Sequence, residues 1–543
     1  MKQEGPPWYT SHKLPDPYSL KDVFLYPYYA LKCYFIRLEA VFGWKLLSYM
    51  AMVQICLKGG AASVTSTAML PLFKNVFHIE ASALQLYMVA IYVPWSIKPL
   101  IGLASDFTLI GGYHKRYWLL FAMFLGCLGA ILSFVAFSVS NVGWIVSCFT
   151  FVMFEIALFD LMTESAYSTV MSKHPYTGSD IVTLTQIFDI IGGVCTTSFT
   201  GVLSDAGAYN AMFSIILVLT IVTLPFTWLN WIGEEKEEPS RIIQLVDVQQ
   251  LRTERNRIFV IALAGISAPF IAVLSNVADP AYATVFAFLL TVGCIFGAFA
   301  TFPRVVAQLA LYQALVTLSR PALGSALDYF YTADEVCLPG GPNFSYAYYQ
   351  TVVGIVAEFA SLVGVLSYQW LLGGMRYRRV VLITSVLRTL AGLSDLILVL
   401  RLNIALGIPD KLAYMLGEAM LEPALTMLNY IVGTVLIAKV VIPGMESSIY
   451  AFMAGIYNFS TVTNSLSGAL LYEAAGVRTI GDCNFNSLWI LILVFNIALP
   501  LIISIPASFL IPDSYQNESL TINDQTTSMD HMWLEPHSDA DEI

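Results

Sequence analysis

Charged side chains recur inside long apolar stretches of this 543-residue chain. Hydrocarbon cannot hydrogen-bond a charge, so an ionisable side chain within a membrane span is costly and normally serves transport or proton relay. Asp160 and Glu164 are spaced i, i+4 in one stretch, and Glu418 and Glu422 repeat that spacing in another. Each pair therefore shares one face of a helix. The pattern predicts polar cavities between the helices of a secondary transporter.

The composition is that of a membrane-embedded chain. Hydrophobic residues make up 57% and charged residues only 12%, whereas a soluble domain carries about 25% charged residues. Much of the net charge of −11 lies in the tail after Pro512, which has eight acidic residues and no lysine or arginine. We expect that tail to be disordered. The expected surroundings are a lipid bilayer, with no nucleic-acid partner.

Fourteen apolar stretches have about the 20 residues that a membrane span needs. They predict an all-α integral membrane fold of two six-helix halves with an extra helix pair between them, and twelve spans is the alternative. The predicted organisation is a cytoplasmic N-terminal segment (1–45), a six-helix half (46–232), a cytoplasmic linker (233–257), the extra pair (258–303), a second six-helix half (304–511) and an acidic cytoplasmic tail (512–543).

The distribution of lysine and arginine predicts the orientation. With the N terminus inside, nineteen of them fall in inner segments and four in outer ones, namely Lys74, Arg401, Lys411 and Arg478. Positive charge accumulates on the cytoplasmic side of membrane proteins. Both termini are therefore expected in the cytoplasm, and the expected location is the plasma membrane.

The two predicted halves echo each other beyond their paired carboxylates. Their first spans carry one cation each, Lys58 and Arg320, and residues 201–207 (GVLSDAG) resemble residues 468–474 (GALLYEA). Internal repeats of this kind are common in transporters that alternate between inward-open and outward-open states.

The loop after the second span has a recognisable pattern of glycine, acid and base. Gly102 and Asp106 are followed by Lys115 and Arg116, and Lys98 precedes them. This arrangement resembles the signature loop of the major facilitator superfamily. The resemblance implies that these five residues take part in conformational gating, with the acid capping a helix or pairing with a base as the halves rock.

Three segments resemble the folate–biopterin transporter family, in particular its kinetoplastid branch. They are residues 98–106 (KPLIGLASD), 326–334 (ALDYFYTAD) and 341–360 (GPNFSYAYYQTVVGIVAEFA). The resemblance implies proton-coupled uptake of folate or biopterin, with no cofactor beyond the proton gradient. Some members of that branch are thought to carry S-adenosylmethionine, so that substrate remains an alternative.

For a folate, candidate binding residues follow from charge. Lys58, Arg320 and Arg388 could bind its carboxylates, because arginine offers a two-pronged grip. Asp160 or Glu358 could bind the amidine-like edge of the pterin. The alternative for each cation is a structural ion pair that locks two helices together. That alternative stays open here.

Proton coupling needs an acid that burial makes easier to protonate. Glu164, Asp189 and Glu422 are the candidates. Acids within the spans outnumber the cations there, which fits proton symport but also fits a cationic substrate facing Asp160 and Glu164.

Two cysteines, Cys337 and Cys483, fall in predicted outer loops, where a disulfide can form. The glycosylation triplet at Asn343 lies so close to a span that we expect it to be unused. All six histidines lie in loops or termini and no Walker motif is present. We therefore expect no metal site, no enzyme and no ATP-driven pump. A channel and a transport-dead receptor remain as rival classes, and the oligomeric state is open.

Overall fold

A computed structural model describes residues 20–174, 178–238, 242–245, 252–277, 279–372, 374–439 and 446–515. Its helices, in chain order, are α1 Leu20–Phe42, α2 Trp44–Val76, α3 Ala81–Phe107, α4 Arg116–Ser138, α5 Val142–Lys173, α6 Gly178–Asp205, α7 Tyr209–Trp228, α8 Arg255–Val277, α9 Pro280–Thr301, α10 Arg304–Leu318, α11 Gly324–Tyr331, α12 Ala347–Ser367, α13 Tyr377–Val399, α14 Leu402–Ala405, α15 Asp410–Ile437, α16 Glu446–Ala474 and α17 Leu488–Leu510. A two-stranded sheet pairs β1 (Thr108–Ile110) with β2 (Ile243–Leu245).

Eleven of the described helices are long and apolar enough to cross a membrane, or twelve with the bent pair of α1 and α2. That pair bends by 109° at Gly43, whose φ of 75° suits a residue without a side chain. The predicted multi-pass helical fold is confirmed. The count of fourteen spans stays a prediction, since α10 is a shorter apolar helix.

The apolar stretch 304–330, long enough for one membrane span, is two helices in the structure. The chain leaves helical geometry between α10 and α11, around Pro321. Proline cannot donate a backbone hydrogen bond and its ring clashes with the preceding turn, which explains the interruption. Across the break, the Ala322 N–H donates to the backbone oxygen of Asn464 on α16 (3.2 Å).

The first half (α2–α7) and the second half (α10–α17) meet along two seams. At one seam α3 packs against α16, and at the other α6 packs against α12. The contacts are close: a Cβ on Gly455 of α16 would lie 2.3 Å from the ring of Pro99 on α3. The extra helices α8 and α9 pack against each other and against α16, and α8 also packs against α3.

The linker between the halves docks on the loop after α3. Strand β2 pairs antiparallel with β1, and Glu234 accepts hydrogen bonds from the backbone N–H groups of Lys115 (2.9 Å) and Arg116 (3.1 Å). We name this side of the molecule the linker face. The predicted N-terminal segment before Leu20 and the acidic tail after Tyr515 lie outside the described residues.

Candidate substrate-binding cavity

A cavity of about 530 Å³ lies between the two halves. The first half contributes α2, α3 and α5, and the second half contributes α10, α13, α15, α16 and α17. The polar and aromatic lining includes Lys58, Trp95, Lys98, Asp160, Glu164, Gln313, Thr317, Arg320, Arg388, Thr426, Asn429, Tyr430, Tyr450, Tyr457 and Asn464. Transporters built from two such halves bind substrate at the interface between them.

The wall from the first half is an ion-pair network. Lys98 Nζ lies 2.6 Å from Asp160 Oδ2, and Lys58 Nζ lies 3.0 Å from Asp160 Oδ1. Longer contacts join Lys98 to Glu164 (3.6 Å) and Lys58 to Asp189 (4.0 Å). Both oxygens of Asp160 are therefore occupied by lysines. This geometry ties α2, α3 and α5 together and leaves Asp160 little capacity to bind a ligand.

The wall from the second half carries two arginines of a different kind. Among the described residues, no ion pair within 4.0 Å includes Arg320 or Arg388. Within the described part of the chain, the hydrogen bond of Arg320 is a long one to Thr389 Oγ1 (3.4 Å), and Arg388 Nε is buried with no partner. Guanidinium groups in a low-dielectric cavity attract carboxylates strongly. This wall is suited to an anion.

Glu358 lies outside the cavity lining, which differs from the expectation that it binds substrate. A Cβ on Gly193 of α6 would lie 2.4 Å from Glu358 Oε1, so the carboxylate packs on α6. Glu358 faces α6 because it lies on the side of α12 that packs against α6. Thr351 on α12 accepts a hydrogen bond from the Gly201 N–H of α6 (3.1 Å), and Glu358, seven residues later, faces the same neighbour.

The three predicted proton-coupling acids lie at or near the cavity. Glu164 lines it, and the Tyr450 hydroxyl donates to Glu164 Oε1 (3.2 Å). Glu422 accepts a hydrogen bond from the lining residue Thr426 (2.6 Å). Asp189 contacts the lining residue Lys58, with 4.0 Å between Oδ2 and Nζ. Of these three acids, Glu164 is the one that belongs to the cavity lining.

The predicted gating residues fall in two places. Gly102 is buried in α3, and Lys115 and Arg116 lie at the linker face, where Glu234 holds their backbone. Lys98 differs from the others because it lies in the cavity beside Asp160. It precedes Gly102 by four residues, about one helical turn deeper in the membrane.

Two aspartates cap helices across the seams. Asp106 accepts hydrogen bonds from the Ser448 N–H (3.1 Å) and hydroxyl (2.6 Å) in the first turn of α16. Asp205 at the end of α6 accepts from the N–H groups of Tyr346 (2.9 Å) and Ala347 (2.8 Å) at the start of α12. A carboxylate at a helix N-terminus satisfies free donors and complements the helix dipole. Each cap therefore links the halves at one end of a seam.

The face opposite the linker is closed by loops of the second half. Cys337 and Cys483 form a disulfide with sulfurs 1.97 Å apart, and we name this side the disulfide face. Nearby, Glu80 before α3 accepts hydrogen bonds from the N–H groups of Thr479 (2.9 Å) and Ile480 (3.2 Å). Leu436, near the C-terminal end of α15 and towards the linker face, lines the cavity. The cavity therefore extends towards the linker face.

Several lining residues carry no mark in the sequence that would have selected them. Asn464 and Trp95 line the cavity, and each has a buried polar atom without a hydrogen-bond partner. In the sequence, candidates were selected because they are charged, and these side chains are neutral. Within the described part of the chain, no group of three or more His, Cys, Asp or Glu side chains is placed to hold a metal ion.

Comparison with solved structures identifies the fold. A POT family transporter in complex with 5-aminolevulinic acid aligns with a TM-score of 0.60 at 14% identity, covering 86% of this chain and 96% of that one. An auto-inhibited POT family peptide transporter aligns with a TM-score of 0.58 at 13% identity, covering 87% and 98%. The architecture is that of major-facilitator-type transporters, as the sequence predicted.

The chain belongs to the BT1 family, whose family profile matches residues 58–531. Among its relatives, "Probable folate-biopterin transporter 6" of Arabidopsis thaliana is 25% identical over 460 residues, covering 83% of this chain and 80% of that protein. "Folate-biopterin transporter" of Synechocystis sp. is 23% identical over 472 residues, covering 86% and 82%. "Folate transporter 2" of Plasmodium falciparum is 23% identical over 450 residues, covering 80% and 82%. The chain is a membrane transporter and not an enzyme.

Proposed function

We propose that this transporter imports folate and related pterins by proton symport, alternating between states open to either side of the membrane. The observation that carries the proposal is the pair Arg320 and Arg388, cavity-lining arginines that form no ion pair with any described residue. Unpaired cations inside a membrane protein are costly and are kept for ligands. The names of the relatives point to the same substrates.

A folate suits the asymmetry between the two walls. Its carboxylates match the arginines of the second half, and its flat pterin ring matches the aromatic lining, which includes Tyr430 and Tyr457. Biopterin shares the ring but has no carboxylate. The proposal therefore assigns Arg320 and Arg388 to the part of folate that biopterin lacks.

The coupling proton is assigned to Glu164. Its Oε2 atom is buried with no hydrogen-bond partner, and Lys98 is 3.6 Å away. Protonation of Glu164 would leave Lys98 more fully paired with Asp160 and would remove one negative charge from the cavity as an anionic substrate enters. Asp189 and Glu422 are proposed to pass the proton to and from this position.

S-adenosylmethionine is the alternative substrate, and the geometry gives it less support. Asp160, one of the two acids expected to face its positive charge, already contacts Lys58 and Lys98. The arginines would repel a cationic ligand. We therefore keep folate and pterins as the proposal.

The proposed orientation places both termini and the linker face in the cytoplasm, in the plasma membrane. The disulfide face is then outside, where a disulfide is stable. With closure at the disulfide face, the cavity described above belongs to an inward-facing state.

Competition uptake in cells that express the chain tests the proposal. Labelled folate, biopterin and S-adenosylmethionine are each measured against unlabelled excess of the other two. We expect saturable folate and biopterin uptake in which each pterin inhibits the other and S-adenosylmethionine has no effect. Uptake of S-adenosylmethionine alone would overturn the proposal, and currents that never saturate with substrate would indicate a channel.

A further inference from the structure

We propose that Asn464 and Gln313 form a specificity-determining edge of two hydrogen-bond acceptors, which selects ligands whose flat heterocycle presents adjacent N–H donors. This inference deepens the proposed function and rests on it. It assigns the recognition of the ring to neutral amides of the second half. The expectation from the sequence was that Asp160 or Glu358 binds the edge of the ring.

The orientation of the Asn464 amide is fixed by the helix break. Asn464 Nδ2 donates to the Thr317 oxygen at the end of α10 (2.7 Å), and the Asn464 backbone oxygen accepts from the Ala322 N–H beyond the break (3.2 Å). A carbonyl can only accept, so the nitrogen of the amide must face Thr317. Asn464 Oδ1 therefore points away from α10.

That oxygen is a buried acceptor without a partner. Asn464 is 6% exposed, lines the cavity and has no hydrogen-bond partner at Oδ1. Most buried polar atoms in proteins are hydrogen-bonded, so an unsatisfied one at a cavity wall is a position where a ligand donor is expected. The amide nitrogen of the same side chain is bonded to Thr317, which leaves Oδ1 as the free acceptor.

The break holds this acceptor rigidly. The Ala322 oxygen accepts hydrogen bonds from Gln85 Nε2 of α3 (3.0 Å) and from the Tyr472 hydroxyl of α16 (3.0 Å). A Cβ on Gly468 would lie 2.0 Å from that oxygen, so the glycine permits the close approach of α16 to the break. The break, to which the Asn464 backbone oxygen and amide nitrogen are bonded, is thus organised before the ligand arrives, which improves discrimination.

Gln313 supplies the second acceptor. It precedes Thr317 by four residues on α10, about one helical turn, so the two residues share the cavity face. Gln313 Oε1 is buried with no hydrogen-bond partner. Unlike Asn464, Gln313 makes no hydrogen bond to the described residues of the helix break, so its replacement leaves the contacts of the break intact.

The chemistry of this edge defines the ligand class. Two acceptor oxygens suit a ring edge with an amino group beside a ring N–H, while Arg320 on the same wall suits an attached carboxylate. An analogue with a carbonyl in place of the amino group would set oxygen against oxygen. Sites built to bind a donor reject analogues that lack it, because their polar atoms are left unpaired.

The test is the uptake ratio of two uncharged substrates, a 2-amino-4-oxopteridine and its 2,4-dioxo analogue. We expect the native protein to prefer the amino compound by about tenfold or more. Gln313→Leu should lower that ratio several-fold, whereas Gln313→Glu, which retains acceptor oxygens, should preserve most of it. Asn464→Ala should lower the ratio as well, with surface expression measured in parallel because it also removes the contact to Thr317.

Ser467→Ala is the matched control, since Ser467 lies on α16 outside the cavity lining and its hydroxyl donates to the Thr463 oxygen (2.8 Å). Its ratio should equal that of the native protein. An unchanged ratio in Gln313→Leu, at normal surface expression, would overturn this inference and leave the proposed function intact. Failure of the native protein to take up folate or any pterin would overturn both.

Discussion

Lys98 and Asp160 form the shortest ion pair of the cavity, with 2.6 Å between Nζ and Oδ2. Because Lys58 occupies the other oxygen of the same carboxylate at 3.0 Å, one residue of α5 joins α2 and α3. The arginines on the opposite wall have no comparable partner among the described residues. The cavity charges of the two halves therefore differ: the lysines of the first half pair with carboxylates of that half, whereas Arg320 and Arg388 of the second half form no ion pair with a described residue.

Removal of the shared carboxylate should destabilise the protein. Asp160→Asn leaves Lys58 and Lys98 without their nearest anion, and breaking a buried pair in this way costs about 3–5 kcal/mol. We expect lower surface expression, a lower melting temperature in detergent and loss of uptake for folate and biopterin alike. Fluorescence-detected size-exclusion chromatography after heating measures the stability change.

Glu155→Gln is the control for that experiment. Glu155 is fully buried on the same helix, but it accepts a hydrogen bond from the Thr220 hydroxyl (3.0 Å) and forms no ion pair with a described residue. Its neutral replacement should cost about 1 kcal/mol or less. A loss in Glu155→Gln as large as that in Asp160→Asn would mean that the lysines are not the cause.

The sequence indicated which charged residues lie within the spans, but not which of their side chains line the cavity. Lys58, Asp160, Arg320 and Arg388 were found because ionisable residues within apolar stretches are rare. Glu358 satisfies the same criterion but packs on α6 at the seam with α12, where a Cβ on Gly193 would lie 2.4 Å from its Oε1 atom. Composition cannot distinguish a cavity from a polar seam.

The two aspartate caps should bias opposite conformations. A helix cap is worth about 1 kcal/mol, or about a fivefold change in an equilibrium. If the disulfide face is outside, Asp205→Ala should weaken closure there. An impermeant thiol reagent added outside should then label a cysteine placed at Thr317 several-fold faster. Asp106→Ala, which weakens the cap at the linker face, should slow that labelling or leave it unchanged, and faster labelling in both variants would contradict this account.

The disulfide should stabilise the closed loops of the second half. Cys337 and Cys483 are 146 residues apart in sequence, and the oxygen of Thr479, near Cys483, lies 3.8 Å from Cys337 Sγ. Disulfides that close long loops contribute about 2–4 kcal/mol. Cys337→Ser, Cys483→Ser and the double variant should therefore lower the melting temperature equally, and Cys195→Ser, at an exposed free cysteine, should not. Unequal effects of the two single variants would indicate that the bond is not the source.

Glu164→Gln should separate transport from the proton gradient. In the native protein we expect uptake to rise as the external pH falls and to collapse with a protonophore. The variant cannot release or bind the proton at this position, so its uptake should lose the dependence on external pH. Exchange of internal for external substrate should continue. Retention of acid-stimulated uptake in Glu164→Gln would move the coupling role to Asp189 or Glu422.

The helix break and Asn464 show what the sequence could and could not reveal. Pro321 marks the break, and a proline inside a predicted helix is a visible signal. Asn464 gives no comparable signal, because a neutral amide in a helix is common. Its role depends on the hydrogen bond that it donates to Thr317 of α10, a residue distant in sequence. Features that depend on the packing of distant segments are fixed only by the tertiary structure.

The most direct test of the central claim compares folate and biopterin uptake in Arg320→Ala. Charge-assisted hydrogen bonds are worth about 1.5–3 kcal/mol, so folate uptake should fall by about tenfold or more, while biopterin uptake, which involves no carboxylate, should change little. Arg376→Ala is the control, because Arg376 pairs with Asp513 (2.8 Å) away from the cavity. An equal loss of folate and biopterin uptake in Arg320→Ala would contradict the account and assign this arginine a structural role.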